Sequence, residues 1–334
     1  MMTPRPRILI TLGDIAGVGP EVLVKAWPQL TALCHPIVVG DVGSLRRTIA
    51  DLGRPKTVQP ISRVGEAGPA SDVIPCLVVE TADLTNVPLG AITAAGGRAA
   101  YDFLVKAIDL TLAKEADGIV TLPLQKEGLH LAGLNYPGHT EILAERTGTK
   151  NFAMMLYARG PMIPQGLGVL HVTLHMALRD VFPHITTPAI YDKILLLDGI
   201  MRRLNPGPSR LAVAALNPHA SDGGLFGDEE RTIIQPAVAQ AKAQGIDVVG
   251  PIPSDTLFVR AERGEFYGIV AMYHDQGHIP LKLLTGLAAV NISVGLPIVR
   301  TSVAHGTAYD IAGQNRADSQ SLIEAVRAAA RLIG

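Results

Sequence analysis

Cysteine is scarce. Cys34 and Cys76 are the two in 334 residues; they lie far apart and in no CxxC spacing, which leaves neither a disulfide framework nor a thiolate zinc site. Long apolar runs are missing too: none approaches the roughly 18 residues that a bilayer span requires. The run RILITL behind MMTPRP is too short for the hydrophobic region of a secretion signal and stops at a Gly-Asp turn. No excess of charge exists, with 29 Lys and Arg against 30 Asp and Glu, a net −1, which argues against nucleic acid or any other polyanion as partner. Internal repeats, heptads, low-complexity tracts and Ser/Gly-rich linkers are all absent. These absences lead us to expect a globular cytoplasmic chain with no membrane and no nucleic-acid partner.

What the chain does have is hydrophobic residues, at 48%, and a length beyond which one core usually stops growing, so two lobes are expected. Short β-branched runs alternate with stretches of helical period. RILITLG, PIVVGD, PCLVVE, DGIVTLP, FAMMLYA, LGVLHVTLH, RLAVAALNP, GIVAMYHD and AAVNISVG read as strands. EVLVKAWPQL, AAGGRAAYDFLVKAIDLTLAK, YDKILLLDGIMRRL and DEERTIIQPAVAQAKAQG read as helices. The alternation predicts α/β architecture with largely parallel strands. Most strands run into chemically active residues: Gly13-Asp14, Pro123, His175, Asn217-Pro-His219 and His274-Asp275. Open α/β sheets bind ligands beyond the carboxyl ends of their strands, so one shared site is expected.

His175, His219 and His274 each follow a strand and suit a divalent metal held through neutral imidazoles with positions left for substrate; turn capping is the competing reading. His274 and His278, four apart in HDQGH, would share a helical face, but Gly277 and Pro280 disfavour a helix and the preceding residues read as strand. Their rings therefore need not converge. Asp14-Ile-Ala-Gly17-Val-Gly19-Pro20-Glu21 opens a helix and its glycines would admit a ligand to the backbone, yet the spacing is neither a dinucleotide fingerprint nor a Walker A loop. Lys126, His139, Thr140, Lys282, Asn291 and the run Arg300-Thr301-Ser302 are basic or donor residues near strand ends that would suit a phosphate or carboxylate. In His305-Gly-Thr-Ala-Tyr-Asp310-Ile-Ala-Gly313 a loop carboxylate is placed to accept ribose hydroxyls, the logic that selects NAD over NADP.

Taken together, ITLGDIAGVGPE, GHTE, LHMALRD, LNPHASDGG, PSDTLF, AMYHDQG and VNISVGLPIVRTSVAHGTA resemble the 4-hydroxythreonine-4-phosphate dehydrogenase family over nearly the whole chain. One departure is Ile15, where the family usually has proline. The resemblance implies a metal-dependent, NAD-linked, β-decarboxylating dehydrogenase of the isocitrate and isopropylmalate dehydrogenase type. Its fold would be two α/β/α lobes with mostly parallel sheets and the active site in the cleft between them. We expect one lobe at 1–124 plus 281–334, carrying the adenosine loop, and another at 125–280, carrying the metal ligands and a homodimer interface. The implied metal ligands are His175, His219 and His274, shared between subunits, with zinc the first choice and cobalt, nickel or magnesium alternatives. His139, Thr140, Lys282, Asn291 and Arg300 would hold the substrate and its phosphate, and His305, Gly306, Thr307 and Asp310 would hold NAD. Asp255, Asp275 and Lys126 are the candidates for proton transfer, Asp275 equally for orienting a ligand histidine.

KEGLHLAGLNYPGHTE, GLFGDEE and HDQGHIPLKLL are similar to the branch acting on 4-phospho-D-threonate or 4-phospho-D-erythronate, with dihydroxyacetone phosphate and CO2 as products. The pyridoxal phosphate biosynthetic branch is the alternative. A terephthalate cis-dihydrodiol dehydrogenase is a second, argued against by the phosphate set. A non-catalytic metabolite-binding protein is the reading from another class.

Overall fold

The computed structural model describes residues 5–207 and 209–334; residues 1–4, where the stretch read for a secretion signal begins, and residue 208 lie outside it. Two compact units divide the chain, Met1–Phe152 with Leu296–Gly334, and Ala153–Gly295. The first opens with β1 (Arg7–Thr11), α1 (Gly19–Leu33), β2 (His35–Gly40), α2 (Val42–Asp51), β3 (Thr57–Ile61), β4 (Val73–Val78), α3 (Ala94–Leu112), β5 (Gly118–Thr121), α4 (Lys126–Leu131) and α5 (His139–Thr147). The second carries β6 (Ala153–Gly160), β7 (Ile163–His171), α6 (Thr187–Leu204), β8 (Leu211–Ala214), α7 (Gln235–Ala243), β9 (Val248–Ile252), α8 (Ser254–Glu262), β10 (Gly268–Ala271), α9 (His274–Thr285) and β11 (Val290–Val294). The chain then returns to the first unit with β12 (Val299–Val303) and α10 (Gln320–Ile333).

In the first unit the strands run β3-β4-β2-β1-β5-β12, every neighbouring pair parallel. In the second they run β11-β6-β7-β10-β8-β9, with β6 antiparallel to both neighbours and the remaining pairs parallel. Apolar strands such as RILIT, GIVT, LAVA and GIVA are buried nearly throughout, as strands covered on both faces must be. The expected α/β architecture of mostly parallel strands is what the fold contains.

The boundaries differ from 1–124, 125–280 and 281–334. Residues 125–152 go with the first unit because α4 and α5 pack on α3. Residues 281–295 go with the second because α9 packs on β6 and β7, and β11 pairs with β6. The strand pattern also passes over β3, β9 and β12. β3 (TVQPI) and β9 (VVGPI) are edge strands of their sheets and each contains a proline, which an edge tolerates. β12 (VRTSV) reads as polar, yet Arg300, Thr301 and Ser302 are buried.

Side-chain caps set several helix starts: the carboxylate of Asp41 accepts from Ser44 N at 2.6 Å, Thr93 Oγ1 from Gly96 N at 3.0 Å, and Thr186 Oγ1 from Ala189 N at 3.3 Å. Both cysteines are buried, and burial pushes each thiol up to about 12, which leaves them as apolar filling and not as reactive groups. Among the described residues no helix is long and apolar enough to cross a membrane.

The single tryptophan ties α1 to the strand it faces. Trp27 is fully buried and its Nε1–H reaches the carbonyls of Ala70 at 2.8 Å and Val73 at 3.1 Å, at the entry to β4. Trp27→Phe keeps most of the buried area and removes one of the two donors on each carbonyl, which Ala70 and Val73 still share through their own backbone bonds at 3.2 and 3.3 Å, so we expect a loss of about 0.5–1.5 kcal/mol in urea denaturation followed by circular dichroism; an unchanged midpoint would show these bonds to be dispensable.

Candidate functional site

In the first unit the glycines of the Asp14–Glu21 motif do not leave room for a ligand. Gly13 has φ +64°, and a Cβ there would overlap the carbonyl oxygen of Pro123; a Cβ on Gly17 would press on the carbonyl of Thr307. Backbone bonds follow the same contacts, Asp14 N to Pro123 O at 2.8 Å and Val18 N to Thr307 O at 2.9 Å. The motif therefore welds β1 to the chain after β5 and to the loop after β12. Asp14 is buried, accepts from Ala16 N at 3.0 Å and receives the Tyr309 hydroxyl at 2.6 Å. Burial raises its carboxyl above the usual range, against the lowering effect of the Tyr309 bond, and raises the Tyr309 phenol as well.

Arg300 and His139 come together at the carboxyl end of β5. Arg300 is 4% exposed and donates from Nη2 to Thr121 Oγ1 at 2.5 Å; burial pulls its guanidinium down to about 9. His139 is the first residue of α5 and bonds to the Leu122 backbone; enclosure by protein and then the Arg300 charge hold it well below the usual imidazole range, although part of the residue still meets solvent. Thr140 follows in the first turn of α5. A buried guanidinium, a neutral imidazole and the first-turn N–H groups of a helix form an environment that an incoming anion would relieve. Lys126 starts α4 and is exposed.

The loop after β12 places His305, Gly306, Thr307 and Asp310 in sequence. His305 Nδ1–H turns to Gly306 O at 2.9 Å, and its Nε2 is buried with no hydrogen-bond partner. Thr307 is buried, and the Asp310 carboxylate is exposed.

In the second unit α9 begins at His274, so HDQGHIPLKLLT is helical, which corrects the expectation that Gly277 and Pro280 prevent it. Packing explains the difference. A Cβ on residue 277 would overlap His171 Nε2 and crowd Val169, so the glycine is what lets α9 lie on β7. Tertiary contact here outweighs local propensity. As a result His274 and His278 do converge, their rings stacked 3.9 Å apart at 10°. His278 Nδ1 faces His171 Nε2 at 3.2 Å, and His175 lies across from His274 with centroids 5.8 Å apart. His171, the true last residue of β7, is 4% exposed and His278 is 6% exposed. Burial, followed by the neighbouring histidines, drives His171 down to about 3 and His278 to about 4, so both are neutral imidazoles at neutral pH. Asp275 Oδ1 takes His274 Nδ1 at 2.7 Å, a bond that orients the ring and leaves Nε2 as the nitrogen a ligand could use.

Gln276 fixes this turn. Its Oε1 accepts from Met272 N at 2.6 Å, and its Nε2 donates to Ala215 O at 2.7 Å and Ser254 Oγ at 2.8 Å, tying together the ends of β10 and β8 and the start of α8. Asp255, the next residue of α8, is exposed. Lys282 lies two turns along α9, close enough for its charge to depress His278, and Asn291 sits on β11.

His219 lies on a backbone of unusual form. Residues 219–223 have φ of 52, 55, 69, 43 and 71°, and Gly224 has 106°. Four of these carry a Cβ, at a cost of about 1–2 kcal/mol each. Glu230, 2% exposed at the head of a π-helical turn, holds the loop: Oε1 accepts from Leu216 N at 2.8 Å and Asn217 N at 2.7 Å, and Oε2 accepts from Asn217 Nδ2 at 3.0 Å and from Ser221 Oγ. His219 itself is exposed and has no ring contact with the other histidines.

The structure thus pairs His175 with His274, Asp275 with His274, and His139 with Arg300, while His219, Asp255 and Lys126 stand apart. Sequence reasoning missed His171, Gln276, Glu230, Thr121 and Tyr309, and gave His278 no role. Their signal was faint: His171 lies inside an apolar strand, and Gln276 and Glu230 sit in motifs whose histidines draw the eye. Among the described residues no set of three His, Cys, Asp or Glu stands ready to hold a metal. The donor chemistry nevertheless fits one, since His274 is oriented through Nδ1 beside His175, and a third imidazole on His219 would complete a common ligand number. The loop at 305–310 fits a dinucleotide through a buried imidazole acceptor and an exposed carboxylate.

The chain is similar to the D-threonate 4-phosphate dehydrogenase of Salmonella typhimurium (strain LT2), 43% identical over 327 residues that cover 97% of this chain and 98% of that protein. It is equally similar to the 4-hydroxythreonine-4-phosphate dehydrogenase of Beijerinckia indica, 45% identical over 97% and 94%. Among solved structures, the 4-hydroxythreonine-4-phosphate dehydrogenase of Klebsiella pneumoniae superposes with a TM-score of 0.87 at 40% identity, covering 98% of this chain and all of that one. The family described as pyridoxal phosphate biosynthetic protein PdxA matches residues 32–329. With so much of its length matched, the chain belongs to the PdxA family.

Proposed function

We propose that the protein is an NAD-linked, metal-dependent dehydrogenase of a 4-phosphorylated 3-hydroxy acid, 4-phospho-D-threonate or 4-phospho-D-erythronate, giving dihydroxyacetone phosphate and CO2. The observation that carries this reading is the buried Arg300 beside neutral His139 at the start of α5, a place for a phosphate dianion. Relatives named for D-threonate 4-phosphate support the substrate class. The second reading, 4-hydroxythreonine 4-phosphate, is supported by relatives of the same identity. The two acids differ at C2, hydroxyl against amine.

Arg300, His139 and Thr140 bind the phosphate, with Lys282 and Asn291 supplying further donors to the substrate; binding far from the reacting carbon positions it. His305, Gly306, Thr307 and Asp310 hold NAD, the carboxylate on the ribose hydroxyls. A divalent metal on His175, His219 and His274, zinc first, would supply the Lewis acid that lowers the pKa of the C3 hydroxyl. Bound NAD would supply the acceptor for the C3 hydride, while a base of the chain takes the hydroxyl proton. The resulting 3-oxo acid breaks its bond to the carboxylate, CO2 departs, and a proton is delivered to the carbon left behind. Asp275 is assigned to orienting His274, because its carboxylate is already on Nδ1. Asp255 and Lys126 remain the candidates for proton transfer.

A homodimer sharing the metal is part of this proposal. Among the described residues of one chain no three such ligands assemble. Apolar side chains stand exposed on the segments that follow or carry the ligand histidines: Met176, Leu178 and Phe182 after His175, Leu225 and Phe226 after His219, and Ile279 and Leu283 on α9. Exposure on this scale marks a surface to be covered.

NAD reduction measured with 4-phospho-D-threonate, 4-phospho-D-erythronate, 4-phosphohydroxythreonine and a terephthalate cis-dihydrodiol separates the readings; turnover of the dihydrodiol alone would overturn both phosphate assignments. Arg300→Ala should lower kcat/KM for the phosphorylated acid by about 100-fold or more through KM, and far less for the unphosphorylated acid; equal losses would count against the phosphate role. His219→Ala should reduce turnover by at least about 1000-fold while leaving the circular dichroism spectrum unchanged. Full activity of that variant after chelation and dialysis would remove His219 from the metal.

A further inference from the structure

The loop that carries His219 is braced by a buried carboxylate. Residues 219–224 follow six consecutive positive φ values, a path that L side chains avoid. Local backbone bonds, Ala220 N to Asn217 O and Phe226 N to Ser221 O, both at 3.2 Å, close the turn, and side-chain bonds from outside it add to them. Glu230 lies in the π-helical turn Glu230–Ile234, is almost fully buried, and uses both oxygens on this loop alone: two backbone N–H groups before the reversal, the Asn217 side chain at its start and the Ser221 hydroxyl inside it. Glu229 takes the remaining Asn217 N–H at 2.8 Å. Four donors on one carboxylate bracket His219 from both sides, at 217 and at 221. π-helical turns of this kind recur at functional sites.

We infer that Glu230 is the positioning residue for His219: it does not touch the metal, but fixes the left-handed turn that aims the imidazole, so that metal affinity depends on a carboxylate eleven residues away. The inference rests on the reading of His219 as a metal ligand. An amide at 230 would bring an NH2 group against the Asn217 Nδ2–H and the Ser221 hydroxyl, breaking the bracket on one side while keeping size and shape. Ser221→Ala removes one donor from the far side of His219 and leaves Glu230 in place.

The test is Co2+ binding to the chelator-treated full-length protein, followed by calorimetry and by the visible absorption of the bound ion, for Glu230→Gln, Ser221→Ala, Glu230→Asp and His219→Ala. Glu230→Gln should weaken Co2+ binding about 10- to 100-fold and alter the absorption spectrum, Ser221→Ala should weaken it by a smaller factor, and Glu230→Asp should recover part of the loss. Inorganic phosphate binding, which depends on Arg300 in the other unit, should stay as in the parent protein; joint loss of phosphate and Co2+ binding would mean general unfolding and overturn a positioning role for Glu230. Should Glu230→Gln not fold, Ser221→Ala carries the test, and parental affinity and spectrum in that variant overturn the inference. Parental Co2+ binding in Glu230→Gln with loss in His219→Ala overturns the inference and leaves the metal assignment standing. Parental binding in His219→Ala overturns both.

Discussion

The close approach of α9 to β7 is the constraint on which the histidine cluster depends. It exists because residue 277 has no side chain: a Cβ there would overlap His171 Nε2 and Val169. With that contact made, His171 and His278 meet edge to edge in a dry interior, burial keeps both neutral, and the stacked His274 is left as the outermost ring. Asp275 and Gln276 then fix the direction of the turn from two sides, one by a hydrogen bond to the His274 ring and the other by side-chain amide hydrogen bonds to two backbone groups and one hydroxyl. A ring packed on a neutral ring and hydrogen-bonded at Nδ1 has little rotational freedom to lose when Nε2 binds something, which is the physical meaning of preorganisation here.

The same economy governs the buried charges. Arg300 in the first unit and Glu230 in the second are both buried charged groups, and burial of a charge is tolerated only where directed hydrogen bonds compensate it. Glu230 is compensated by four donors from its own unit, so its role is internal and structural. Arg300 donates to the Thr121 hydroxyl, sits beside a neutral imidazole and is pulled down in pKa by burial, which is the setting of the phosphate role proposed for it.

Much of this was legible in the residues. The alternation of apolar strands and periodic helices indicated the α/β class, and the strand-end pattern drew attention to His175, His219 and His274, of which the structure brings His175 and His274 together and leaves His219 apart. What the sequence hid has a common cause. β3 and β9 carry prolines that only an edge position excuses, and β12 spells its buried residues in polar letters. α9 contains a glycine and a proline that argue for a break, and only the neighbouring strand shows why the glycine is there. The glycines of GDIAGVGPE looked like a ligand cradle, yet they are spent on backbone contacts to Pro123 and Thr307. In each case the deciding partner is a hundred or more residues away, or depends on sheet order, neither of which local pattern contains.

The left-handed turn at 219–224 raises a question of energy that bears on the proposed metal. Four residues with side chains held at positive φ cost several kcal/mol, on the order of the whole margin of stability of a small domain. Such a turn survives only if what it achieves cannot be had from an ordinary one. The turn holds Ser221 and the Asn217 side chain inward on Glu230 while His219 between them stays exposed. An exposed histidine held in a strained turn, on a unit where His175 is exposed and His274 half-buried, with exposed apolar side chains on the same segments, accords with the proposed metal shared between two copies of the chain. The strain and the exposed apolar surface are then two aspects of one proposed arrangement: each is a cost to the single chain, and each is recovered when the ligand set is completed.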